Sequence, residues 1–383
     1  MNFELTDDQK MLVDTVQSFV RKDSPVERLR KMRKHEIGWE KNVWKQMGEL
    51  GWLGVMFPEA VGGAGMSFVE AGLILEQLGT SLVPEPYIPL LAAGAAVLAA
   101  GSSSQQEQFL SPVVSGDKSL ALAYLEEQSR NDVWNVATRA EKSGSGFKLT
   151  GKKRWVLNGH AADQLVVSAR SAGGEREPKG VGLFVVDRDA KGVKITELKC
   201  MDSTRAALLE LDGVEVGADR VLGDPAGAVD ALDLAVDHGA AAACAEGSGI
   251  CQRVLSMTRN YLTERKQFGV AIGTFQALQH RMVDVFVETE LAKSTAILAM
   301  LKVSATDKVE RHRAISAAKV QLAVSAGFVT RQGTQLHGGI GVTDEHDVGL
   351  YFKRAHALST LFGDEPYHVA RFAALPTFTR HVA

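Results

Sequence analysis

Arg259-Asn260-Tyr261-Leu262-Thr263-Glu264-Arg265-Lys266-Gln267-Phe268-Gly269, followed by Ile272-Gly273-Thr274-Phe275-Gln276, decides how the rest of the chain is read. The stretch predicts a helix that runs through Tyr261 and Arg265 and stops at Gly269, whose access to positive φ suits a C-cap. A new helix is expected after Thr274, capped by its hydroxyl. The break would present Arg265, Gln267, Phe268 and open backbone amides in one turn, an arrangement that suits an anionic phosphate. An ordinary corner between helices with surface charges is the competing reading.

Downstream stands Gln335-Leu336-His337-Gly338-Gly339-Ile340-Gly341. The run Tyr-x3-Arg-x-Gln-Phe-Gly, the Phe275-Gln276 pair and this second block, in this order and separation, resemble the acyl-CoA dehydrogenase flavoprotein family. The fold that the resemblance implies is α+β: an N-terminal helical domain, a middle β-barrel and a C-terminal four-helix bundle.

The rest of the chain agrees. Its 383 residues can bury a sizeable core and exceed one compact unit, so two or three domains are expected. Acidic and basic residues nearly cancel at a net charge of -3, without the basic surface or Lys/Arg-rich extension of a nucleic-acid binder. Met1-Asn2-Phe3-Glu4-Leu5 lacks the basic segment and apolar run of a secretory signal. The most apolar run, Leu90 to Ala100, is eleven residues and too short to span a bilayer. Cys200, Cys244 and Cys251 are too few for a disulfide framework. On a helix Cys244 and Cys251 stand roughly 10 Å apart along the axis, beyond disulfide reach. A reducing, cytoplasmic setting fits best.

In order, the first hundred or so residues read as helical. Thr6-Asp7-Asp8-Gln9 is a capping box, with Met11, Leu12, Val16, Phe19 and Val20 at helical spacing behind it. Further helices are expected over residues 40–50, 68–80 and 87–99, with breaks at Gly62-Gly63-Ala64-Gly65 and Pro84-Glu85-Pro86. The glycine cluster lacks the third glycine and the βαβ setting of a dinucleotide fingerprint, so it reads as a loop. From about Leu120 the period shortens to two. Short strands are expected at 120–125, 134–140, 147–150, 154–157, 165–169, 182–186, 193–197 and 207–211, with a hairpin at Thr150-Gly151-Lys152. Such strands argue for a compact β-barrel or sandwich of about one hundred residues. After Gly223-Asp224-Pro225 long apolar-periodic runs return at 229–263, 275–303 and 308–334. The expected domains are 1–115, 116–222 and 223–383.

The resemblance supplies chemistry. Dehydrogenation of an acyl thioester needs a carboxylate for the α-proton, a hydride acceptor beside the β-carbon, and donors for the developing enolate. In the family FAD lies at a subunit interface, held by the β domain of one chain and by the arginine turn and glycine loop of a neighbour. Carried onto this chain, the neighbour's share is Arg265, Gln267, Phe268, Gln276, Gln335, Leu336, Gly338 and Gly339. The β-domain share is Tyr124, Leu125, Trp155 and Leu157, with Leu125 and Leu157 standing where the family usually has hydroxyl side chains. No metal site is expected.

The base departs more sharply. The family's usual glutamate position, counted from Gln335, falls on Phe362, followed by Gly363-Asp364. The second family location falls on Gly239-Ala240, also without a carboxylate. Asp237, His238 and Glu365 lie within reach in sequence, and Glu246 and Asp364 are the candidates retained. The competing readings are an ion pair for Glu246 and a helix cap for Asp364.

The tail, through Val348 to Arg354, Leu361 to Asp364 and His368 to Ala373, resembles a branch that includes the pimeloyl-CoA dehydrogenase small subunit and two-protein steroid side-chain dehydrogenases. The expected activity is FAD-dependent α,β-dehydrogenation of an acyl-CoA, as one subunit of a heteromeric enzyme in fatty acid or steroid catabolism. A flavin-holding, non-catalytic subunit that completes a homologous partner's site is the alternative. Expected partners are the acyl-CoA substrate, electron-transferring flavoprotein, and either identical copies in a homodimer or homotetramer or a homologous subunit in a heterotetramer. Neither nucleic acid nor membrane is expected.

Overall fold

The computed structural model describes residues 4–376, so Met1 to Phe3 and residues 377–383 of the expected outer domains lie outside it. In chain order the helices are α1 (Asp7–Lys22), α2 (Val26–Met32), α3 (Lys41–Glu49), α4 (Phe68–Gly79), α5 (Tyr87–Ala100), α6 (Ser103–Val114), α7 (Val229–Glu264), α8 (Gln276–Lys302), α9 (Lys308–Leu336), α10 (Val348–Thr360) and α11 (Glu365–Ala373). The strands are β1 (Leu120–Ala123), β2 (Arg139–Ser143), β3 (Gly146–Leu157), β4 (Gln164–Arg170), β5 (Val181–Asp187), β6 (Val193–Lys199), β7 (Arg205–Val216), β8 (Val221–Leu222), β9 (Lys266–Gln267) and β10 (Val270–Ala271). The order of helices, strands and helices is the expected one. The short helices α2 and α6 are additions to it. The chain packs as two compact units interleaved in sequence.

One unit gathers Met32–Ser67 and Pro84–Gly239. Its sheet has eight strands in the order β6-β7-β3-β2-β4-β5-β8, with β1 alongside β4. The path ends on β6 and β8, which do not pair among the described residues. The sheet is therefore open, where a barrel was expected. Alternation places Leu149, Leu165, Val167, Phe184, Leu209 and Val214 in one fully apolar layer, with Phe147 edge-on to Phe184 at 5.4 Å.

Two local expectations are corrected. Thr150-Gly151-Lys152 is no hairpin: β3 runs through it, and Gly151 sits at a register shift against β7. A Cβ there would come within 2.6 Å of the Thr138 hydroxyl, which is why glycine marks the bulge. The hairpin lies at Ser143-Gly144-Ser145-Gly146, where Ser143 pairs with Gly146 and Gly144 takes φ +56°. Residues 134–138 do not join the ladder, because side chains take their backbone bonds. Arg170 Nε donates to Val136 O, and the Ala137 and Thr138 amides donate to Glu126.

The other unit gathers Met1–Lys31, Phe68–Val83 and Ala240–Ala383. Thr6 and Gln9 close the α1 capping box as expected. Glycines let α4 and α7 approach closely: a Cβ on Gly249 would fall 1.9 Å from Glu76 O, and one on Gly79 would fall 2.4 Å from Glu246 O. The carboxyl-terminal expectation of four helices becomes α7 to α11, with α8, α10 and α11 all packed on α9. Cys244 and Cys251 are buried thiols. No helix among the described residues is long and apolar enough to cross a membrane.

Candidate functional site

The arginine corner differs from its expected form. Helix α7 ends at Glu264, before Gly269, and a small antiparallel hairpin follows in which Lys266 faces Ala271 and Gln267 faces Val270. Phe268 and Gly269 form its turn at φ +54° and +82°. A left-handed phenylalanine costs about 1–2 kcal/mol, and this one is also 91% exposed, with Phe275 beside it at 6.1 Å. Thr274 does not cap α8; its hydroxyl donates to Ala271 O, and Phe275 occupies the N-cap without a side-chain bond. Arg265 is exposed, and its guanidinium has no partner among the described residues. Gln276 opens α8 and is exposed, and the Gln267 amide donates to Lys266 O.

The glycine loop follows α9. Leu336 is buried at 6% and closes that helix; a short 3-10 turn then runs through Gly338–Val342. His337 donates from Nδ1 to Gly333 O at 2.7 Å, and its ring lies 4.6 Å from Tyr261 and 4.3 Å from His346. Burial holds both imidazoles below the usual histidine range, each helped by a nearby positive group or ring: His346 for His337, and Arg30 for His346, against the opposing pull of Gly333 O and Asp347. Through Tyr261 and His337 the structure brings the two sequence blocks together.

Beside them lies a hollow of about 440 Å³ lined by Arg331, Thr334, Gln335, Gly338, Gly339, Val342 and Phe352. Gly338 takes φ +64°, whereas Gly339 has no left-handed backbone, and a Cβ on either would meet nothing within 4 Å. Nothing within the chain therefore requires Gly339 to be glycine. Open backbone beside an arginine, a glutamine and an exposed aromatic fits the nucleotide end of FAD.

On the β side, Tyr124 is buried and Leu125 O accepts from the Arg154 amide at 2.9 Å. Trp155 sits at φ +56° and is 45% exposed, and Leu157 is half-buried opposite Ala206. The base of this segment is a buried ion pair that sequence reading missed. Lys153 Nζ lies 2.5 Å from Glu126 Oε1, and the Glu126 carboxylate also accepts from the Ala137 amide, the Thr138 amide and hydroxyl, and Gln128. Burial alone would raise the Glu126 carboxyl; Lys153 and these donors outweigh it and bring it down to about 2.

The retained carboxylates are both engaged. Glu246 is buried and gripped by Arg354, Nε to Oε1 at 2.6 Å and Nη2 to Oε2 at 2.8 Å. Asp364 caps α11, accepting from the Tyr367 amide at 3.0 Å. Asp237 is fully buried, His238 bonds Leu234 O through Nδ1, and Glu365 is exposed.

Phe362 holds φ +57° and is 5% exposed. Its turn is fixed from beneath by two side chains. Lys319, fully buried on α9, donates to Leu358 O and Leu361 O at 2.7 Å each, and His368 bonds Phe362 O at 3.1 Å and Ser316 Oγ at 3.3 Å. Burial pushes Lys319 down to about 8. Burial, with the Lys319 and Arg371 charges, pushes His368 down to about 3. A lysine on the apolar stripe of α9 was the available signal for this clamp.

Profiles of the acyl-CoA dehydrogenase N-terminal, middle and C-terminal domains match residues 6–117, 121–214 and 229–374. The chain is 30% identical over 373 residues to acyl-CoA dehydrogenase IpdE2 of Mycolicibacterium smegmatis, covering 97% of this chain and 99% of that one. Among solved structures it is similar to a variant of the Tcur3481-Tcur3483 steroid dehydrogenase, with TM-score 0.88, 29% identity, and 98% and 99% of the two chains covered. It is likewise similar to the ChsE4-ChsE5 complex from Mycobacterium tuberculosis, with TM-score 0.88, 27% identity, and 97% and 98% covered.

Proposed function

The chain belongs to the acyl-CoA dehydrogenase family, FAD-dependent oxidoreductases acting on CH–CH bonds, and we propose that it works as one subunit of a heteromeric member. The observation that carries this reading is the pairing of an open nucleotide hollow with a phenylalanine at the family's base position. The engagement of Glu246 by Arg354 and of Asp364 in a helix cap supports a base supplied from a homologous partner.

Exposed apolar side chains on α8 support assembly. Val283, Phe286, Val287, Leu291, Leu298 and Leu301 are each at least 39% exposed along that helix, more than a solitary surface helix carries. The similarity to the Tcur3481-Tcur3483 steroid dehydrogenase favours a CoA thioester with a bulky acyl group, and the family resemblance points to electron-transferring flavoprotein as acceptor.

In this reading Arg265 and Gln335 hold the nucleotide end of the cofactor through charge-assisted and neutral hydrogen bonds. Bound FAD supplies the hydride acceptor. The β domain of the homologous partner covers the flavin ring at that site. The partner's carboxylate takes the α-proton.

Co-expression with a homologous dehydrogenase subunit tests this. The expected result is a co-purifying complex with higher flavin content and turnover than the chain alone. Full flavin occupancy and full turnover by the isolated chain would refute it.

A further inference from the structure

We infer that Arg331 is a second cationic anchor for the diphosphate of the nucleotide cofactor, acting in the same hollow as Gln335 and the glycine pair. This rests on the flavoprotein reading above and assigns a role to a residue outside the motifs that identified the family.

Arg331 lies on α9 one turn before Gln335, so both side chains leave the same helix face. Both line the hollow of about 440 Å³, together with Gly338 and Gly339. None of the lining side chains is a carboxylate, so the charge of Arg331 is not neutralised within the hollow. Arg331 is exposed and makes no hydrogen bond or ion pair among the described residues. That sets it, like Arg265, apart from arginines of its unit that are engaged within the fold: Arg354 grips Glu246, Arg30 holds Asp347, and Arg281 donates to Gln332.

Gly327, one turn earlier on α9, is the residue the Arg331 guanidinium lies over, and a Cβ there would stand 3.7 Å from Nη1. A planar, fork-shaped cation beside open backbone amides matches a diphosphate better than it matches a neutral ribose or ring. The hollow is also within the size range of small-molecule sites.

The experiment uses the full chain, co-expressed with its homologous partner and stripped of flavin, titrated with FAD and, in competition, with ADP. Arg331→Gln is expected to raise the Kd for both about tenfold, and Arg331→Lys to recover part of the loss because charge returns without the fork. Wild-type affinity is expected to fall more steeply than that of Arg331→Gln between about 50 and about 500 mM NaCl. Equal affinity and equal salt dependence in wild type and Arg331→Gln would overturn the assignment. So would a loss shared equally by Arg331→Lys and matched by a lower unfolding midpoint of the apoprotein, which would mark a folding defect. If the wild-type complex takes up no FAD, the flavoprotein reading fails first, and this inference with it.

Discussion

The ring of Tyr261 lies 4.6 Å from the ring of His337, tilted by 35°. Arg265 follows Tyr261 by one helical turn, and Gly338 follows His337 directly, so this one contact ties the arginine turn to the glycine loop. Burial lowers the His337 imidazole below the usual histidine range, which keeps the ring neutral in this stack at pH 7.

Gly339→Ala should leave the fold untouched, since its Cβ meets nothing within 4 Å and its backbone is not left-handed. Flavin retention should nevertheless fall, because the methyl fills space reserved for the nucleotide. Gly338→Ala, at φ +64°, should add about 1 kcal/mol of destabilisation. Unfolding midpoints and flavin-to-protein absorbance ratios of the two variants check the contrast.

Glu246→Gln should cost about 1–3 kcal/mol, because the amide oxygen keeps only one of the two charge-assisted bonds from the half-buried Arg354 guanidinium. Replacing both partners with apolar residues should restore much of that loss. A double-mutant cycle on chemical unfolding measures it, and a small single-mutant effect would return Glu246 to the list of catalytic candidates.

Acid should loosen the β-sheet unit through Glu126. Its folded carboxyl is lowered from 4.5 to about 2, so its contribution is complete above the unfolded value and disappears as pH falls through that window. At most this amounts to about 3 kcal/mol. Glu126→Gln should be less stable at pH 7 and show a flatter acid limb in unfolding curves collected from pH 7 to pH 2.

His368 adds a second acid-sensitive contact in the other unit. Its folded value, near 3, lies below the ordinary 6.5, so stability is present above the latter and lost as pH falls toward the former. Lys319, Arg371 and His312 all oppose the added charge, while Phe362 O favours it. Amide exchange at residues 361–364 should rise over this range in wild type and change less in His368→Gln.

Phe362→Glu places a carboxylate at the family's base position on an already left-handed, well-held turn. The variant should gain dehydrogenase turnover with the flavin retained. An unchanged rate at full flavin content would remove position 362 from the mechanism.

The local signals read correctly from sequence were those set by short-range chemistry. The Thr6 capping box, the long helices α7 to α9 and the strands β4 to β6 follow from caps and from periodicities of 3.6 and two. What failed was decided by partners distant in the chain. The stretch 134–138 has the residues of a strand, yet Glu126 and Arg170 claim its backbone groups. Thr150-Gly151-Lys152 has the residues of a turn, yet β7 pairs along both sides of it. Gly269 sits where a C-cap would, yet pairing of Gln267 with Val270 turns the chain sooner.

The same division runs through the site. Residue identity and spacing alone determined the family and singled out the arginine turn, the glycine loop and Phe362 as the places to look, because each is a matter of which functional group stands at which spacing. Tertiary structure decided that Glu246 belongs to Arg354, that Lys319 and His368 hold the Phe362 turn, and that Arg331 is left without a partner beside the glycine pair. The reason is physical: whether a charge is spent inside the fold or remains available for a ligand depends on burial and on neighbours brought from elsewhere, and spacing along the chain does not encode either.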